Sequence, residues 1–99
     1  MHKLKIKLEY LGHVTNITGN LKMEEITIKN ESSVTDLLNS LAQKYGEPFK
    51  KAVYEPGLPD LKSNYIATVN GHLLNQLNGV CTKLRDGDRF TIMPVVSGG

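Results

Sequence analysis

The sequence predicts a two-layer α+β domain in which one main helix covers one face of a small mixed sheet. Three observations predict it. Residues 3–10 alternate, with Leu4, Ile6, Leu8 and Tyr10 in one phase and Lys3, Lys5, Lys7 and Glu9 in the other. That is the period-two mark of a strand with one buried face. Over residues 34–45 the spacing changes to three and four, through Val34, Leu37, Leu38, Leu41, Ala42 and Tyr45, one stripe of an amphipathic helix. Residues 89–93 return to alternation, with Phe90 and Ile92 on the buried side and Thr91 and Met93 on the open one.

The remaining elements follow in chain order. Residues 12–20, rich in Gly, Asn and Thr, read as a loop. Residues 22–29 alternate again, with Ile26 and Ile28 in phase, and form a hairpin with the first strand whose register the long connection leaves open. Ser33 followed three residues later by Asp36 is a weaker form of the capping box. Gly46 is placed as the αL terminator of the helix, and Pro48 opposes its continuation. From 47 to 64, Pro48, Pro56, Gly57 and Pro59 break any long element. A short helical turn fits 49–54 and the rest reads as loop, long enough to suggest a functional insertion or mobility. Tyr65–Val69 is a strand run ending in Asn70-Gly71, a tight-turn signal. Residues 72–74 read as a short returning strand and residues 84–88 as a turn.

Ninety-nine residues make one domain with one core and little room for an internal cavity. The hydrophobic share of 39% and charged share of 22% are those of a folded chain. Twelve basic and ten acidic residues give a net charge of +2, too balanced to point to nucleic acid. Lys3, Lys5 and Lys7 read as the solvated side of a strand. Cys81 is the single cysteine, which rules out an internal disulfide and suits a reducing compartment. No apolar run spans a bilayer, so a cytosolic protein with no membrane partner is expected.

Side chains able to do chemistry are scarce. His2, His13 and His72 are far apart in sequence without ligand spacing and read as surface or turn histidines. Cys81 reads as a partly buried, inert thiol, and Asp86 and Asp88, flanking Gly87, as turn formers. There is no phosphate loop or metal motif.

The C-terminal stretch is different. Pro94, Val95, Val96 and Ser97 lead into Gly98 and Gly99, the thinnest peptide a chain can present and the least restricted in backbone angle. Six residues reach roughly 17 Å when extended, enough to enter a cleft on another protein. Either this is a carrier whose reactive group is its own terminal carboxylate, or it is a frayed end.

Asn70-Gly71 after a strand, Leu84-x-Asp86-Gly87-Asp88, an apolar strand and Pro94-x-x-x-Gly98-Gly99 form a linked series. With Thr18-Gly19 and Val34-x-Asp36-Leu37-Leu38 upstream, it resembles the β-grasp (ubiquitin-like) sulfur carriers, most of all the small subunit of molybdopterin synthase. The resemblance implies a mixed four- to five-stranded sheet with one main helix, a domain over 1–95 with an insertion at about 47–64, and a flexible tail at 96–99. It implies that an ATP-dependent enzyme resembling ubiquitin-activating enzymes adenylates Gly99, and that sulfur then leaves a thiocarboxylate there. The sulfur would pass to a pterin precursor in the large synthase subunit or to another acceptor. The chain itself would bind no cofactor and supply no catalytic side chain. Docking would use the open sheet face, where alternation puts Leu11 and Met93 and the family's strand pairing adds Leu73, with Pro94, Val95, Val96 and Ser97 leading Gly98 and Gly99 into the partner. Archaeal ubiquitin-like modifiers and tRNA-thiolation or thiamine sulfur carriers share this skeleton, and a non-covalent interaction module is a third class. Val95 stands where the family commonly has a second proline, Thr15-Asn16-Ile17 replaces its Arg-Glu-Leu, and 47–64 lengthens the chain.

Overall fold

A computed structural model describes residues 3–95. Strand β1 (Lys3–Tyr10) pairs antiparallel with β2 (Met23–Lys29), Ile6 opposite Ile26. The chain then crosses through helix α1 (Val34–Tyr45) and a shorter helix α2 (Glu47–Ala52) to β3 (Tyr65–Val69), β4 (His72–Leu73) and β5 (Arg89–Pro94). The sheet order is β2-β1-β5-β3-β4, with β5 parallel to β1 in the centre and antiparallel to β3. This is the predicted mixed sheet under one main helix, with five strands.

The alternation of β1 buries Leu4, Ile6, Leu8 and Tyr10 under α1, which contributes Val34, Leu37, Leu38, Leu41 and Ala42. Phe90 and Ile92 of β5 complete the centre of that layer. At the start of α1 the Ser33 N–H donates to Asp36 Oδ2 at 2.9 Å, so the predicted capping pair forms. Asn70 and Gly71 both take positive φ (52° and 85°), the primed turn that matches the twist of β3 and β4.

Several expectations are corrected or refined. Gly46 does end α1, but at φ 71° and ψ −150°, a region open essentially to glycine alone and not αL proper. Pro48 lies in the first turn of α2, where its missing N–H costs nothing; it starts one helix as well as ending another. The short helical turn expected at 49–54 is thus present as α2 over Glu47–Ala52, and the segment packs more closely than a loop would. Phe49, Val53, Tyr54 and Leu61 are buried in the common core, and the Tyr54 hydroxyl donates to the Leu58 carbonyl at 2.8 Å. Residues 12–20, expected as loop, begin with a 3₁₀ turn over Gly12–Asn16 whose Val14 is fully buried.

Candidate functional site

The pairing register turns the open face of the sheet into rows. Lys7 opposes Arg89, Glu9 opposes Thr91, Ile66 opposes Met93 and Thr68 opposes both Thr91 and Leu73. Leu11 continues β1, its N–H donating to the Ile92 carbonyl at 3.0 Å, which brings it alongside Met93. One row therefore reads Leu11, Met93, Ile66. The next reads Met23, Glu9, Thr91, Thr68, Leu73, since Met23 opposes Glu9 on β2.

The three predicted contact residues Leu11, Met93 and Leu73 thus share the open face, with Leu11 exposed and Met93 and Leu73 half-buried. Ile66, Met23 and Leu21, all exposed, belong to the same surface, and the sequence reading missed them. The signal for Ile66 was present: the Asn70-Gly71 turn fixes the phase of β3, putting Ile66 opposite in face to Tyr65 and Ala67. A hollow of about 170 Å³ lies between Ile66 and Leu73, with Asp60 of the 47–64 segment on its wall. Thr91, although on the open face as expected, is buried, and its hydroxyl donates to Glu9 Oε1 at 3.1 Å.

The end of β5 is held from two sides. Gly12 takes φ +65°, and a Cβ there would lie 2.8 Å from the Pro94 ring. Pro94 pairs with Tyr65, whose ring meets His13 at 5.4 Å. Val95 is exposed, but its N–H donates to the Asn64 carbonyl at 2.9 Å. Pro94 and Val95 are therefore parts of the sheet margin, from which the chain leaves toward the diglycine. Val96, Ser97, Gly98 and Gly99, and with them the tail expected at 96–99, lie outside the described residues, as does His2.

On the helix side of the sheet, Glu24 is the one polar residue in the inward phase of β2. It accepts hydrogen bonds from the Tyr10 hydroxyl (2.6 Å), the Tyr45 hydroxyl and Lys44 Nζ. Burial works to raise the Glu24 pKa, but these three donors outweigh it and hold the carboxyl below its ordinary value. Burial, reinforced by the bonds to Glu24, raises both tyrosines. The cluster faces away from the rows of the open face, and its chemistry is structural: a half-buried charge satisfied by converging donors.

Cys81 is exposed, contrary to the partly buried thiol expected, because it closes a 3₁₀ turn over Gly79–Cys81 whose buried member is Val80. Asp86 and Asp88 do form the turn. Asp86 Oδ1 accepts the Lys5 N–H at 2.7 Å, while Asp88 accepts the Arg85 N–H and the Asn70 side-chain amide.

A β-grasp body thus delivers its last strand to an apolar margin and on into a diglycine. The sequence profile of the ThiS family matches residues 8–99. The chain belongs to the ThiS family. It is a β-grasp protein of the sulfur-carrier and ubiquitin-like modifier group. Among solved structures it is similar to a putative molybdopterin converting factor subunit 1 from Pyrococcus furiosus, at 27% identity and TM-score 0.76 over 94% of this chain and 99% of that one. It is similar to the HVO 2177 protein of Haloferax volcanii, at 26% identity and TM-score 0.80 over 98% and 88%. Small archaeal modifier protein 1 of Methanosarcina acetivorans shares the fold, at 24% identity and TM-score 0.77 over the full length of both. No curated protein sequence matches at a significant level.

Proposed function

We propose that this ThiS-family member is a sulfur carrier for molybdopterin synthesis and that its working group is the carboxylate of Gly99. The observation that carries the reading is the placement of β5: a core strand pinned through Val95, with the apolar row Leu11, Met93, Ile66 on the open face beside the point where the chain departs toward Gly98-Gly99. The likeness to the Pyrococcus furiosus converting factor subunit supports molybdopterin as the destination. An ATP-dependent partner adenylates the Gly99 carboxylate with loss of pyrophosphate. A sulfide-level donor then attacks the acyl carbon, forming a C–S bond and expelling AMP, which leaves the thiocarboxylate. The chain's contribution is positioning: docking makes the attack effectively intramolecular within the partner's cleft. Glycine at 98 and 99 leaves the least bulk and the widest backbone freedom for that passage.

The test is reconstitution. The thiocarboxylated chain, mixed with a molybdopterin synthase large subunit and the pterin precursor, is expected to yield sulfur-bearing pterin with loss of the chain's thiocarboxylate. No pterin product, with sulfur recovered on a tRNA or the chain recovered on protein lysines, contradicts the molybdopterin assignment and selects a thiolation carrier or a modifier instead.

A further inference from the structure

Beyond the apolar rows, the open face turns basic. Lys7 of β1 faces Arg89 of β5, and Lys3 faces Lys29 of β2. All four side chains are exposed, as is Lys5 between them. Like charges directly opposite on neighbouring strands destabilise a sheet, and here two such pairs sit at one end of one face. None of these cations closes an ion pair on its own chain among the described residues. Among the described residues the one ion pair within 4 Å is Lys44 with Glu24, on the helix side. Glu25 opposes Lys7 across β2, and Asp86 and Asp88 lie in the adjoining turn with their carboxylates held by backbone and amide donors, but none closes a bridge to Lys7 or Arg89. Between Lys7 and Arg89 a hollow of about 370 Å³ opens, its other walls made by Asn70, Gly71 and Gly87.

We propose that this basic end is the second half of the docking surface and receives an acidic segment of the partner protein, an Asp or Glu side chain seated between Lys7 and Arg89. The proposal rests on the carrier reading, which supplies the partner, and adds its chemistry. Arg89 and Met93 lie four residues apart on one strand, about 13 Å at 3.3 Å per residue. The partner surface therefore presents an apolar spot beside the cleft that takes the tail and a carboxylate about 13 Å from it. Two features favour protein over nucleic acid. The cations are continuous with an apolar row, and Tyr10, Tyr54 and Tyr65 are buried, which leaves the open face without the aromatic platforms that stack bases.

The test uses the full chain and two readouts. Backbone amide NMR shifts are followed during titration with a decaglutamate peptide and, separately, with a single-stranded RNA decamer. The expected result is saturable shifts at Lys7, Asn70, Gly71 and Arg89 with the peptide, its affinity falling about tenfold in Arg89→Glu. No shifts there, or tighter binding of the RNA, overturns the proposal. The second readout is pyrophosphate release by the Gly99-adenylating enzyme as a function of chain concentration. At about 50 mM salt Arg89→Glu should lower kcat/KM about tenfold, through KM, and at about 500 mM the gap should close to less than twofold. Met93→Asp should weaken docking at both salts. The melting temperature of Arg89→Glu should not fall, since Lys7 then faces an opposite charge. Equal kcat/KM for Arg89→Glu and the parent at low salt overturns the basic half of the surface while leaving the carrier reading intact, because Gly99 is still adenylated. Failure to adenylate the parent chain counts against the carrier reading, and the peptide titration then decides the surface alone.

Discussion

The backbone N–H of Val95 donates to the carbonyl of Asn64 at 2.9 Å. A proline at this position would have no N–H to give. The bond ties the end of β5 to the residue that precedes β3. Val95→Pro is expected to lose about 1 kcal/mol, seen as a fall of roughly 4–8 °C in melting temperature for a domain of this size. An unchanged melting temperature would show that the tie contributes nothing.

Gly12 meets a double requirement, positive φ and a Pro94 ring where a Cβ would go. Gly12→Ala is expected to cost about 2 kcal/mol or more by urea titration. Gly12→Asn, which tolerates the backbone angle better but still carries a Cβ, separates the two causes. If Asn restores full stability, contact with Pro94 is not the constraint.

The Glu24 cluster gives a signed pH dependence. Its carboxyl is held below the ordinary value when folded, so its stabilisation is complete above the ordinary carboxylate range and is lost as pH falls through the lowered folded value. Tyr10 and Tyr45 are raised; their contribution is complete below the ordinary phenol value of about 10 and is lost as pH rises beyond it. Glu24→Gln should cost about 2 kcal/mol at pH 7 and flatten the acid limb of the stability curve. A variant that keeps the parent's acid limb would place the effect elsewhere.

Phe49 tests how firmly the 47–64 segment is held. Fully buried against the core, it should cost about 3–5 kcal/mol when replaced by alanine. A loss below about 1 kcal/mol would mean that the segment is only laid on the domain.

What could be read from the sequence was whatever local periodicity encodes. The strand β1, the stripe and caps of α1, the Asn70-Gly71 turn and the β5 alternation each announce themselves within about ten residues, and together they give the sheet, its helix and the open side. What stayed hidden depends on distant partners. Glu24 looks like a solvent residue until Tyr10 and Tyr45, 14 and 21 positions away, converge on it. Thr91 looks exposed until Glu9 receives its hydroxyl. In residues 47–64 only a short helical turn was legible, because the prolines and glycine mask Phe49, Val53, Tyr54 and Leu61, apolar residues spaced too irregularly for either period. Arg89 and Lys29 joined the basic end only once the register set them beside Lys7 and Lys3.

The most direct measurement is the intact mass of the full chain after incubation with ATP, sulfide and its activating enzyme. The carrier account predicts a gain of about 16 Da, OH replaced by SH, located on Gly99 and absent from a chain lacking Gly98-Gly99. An unchanged mass, with an enzyme that demonstrably loads another carrier under the same conditions, would contradict it.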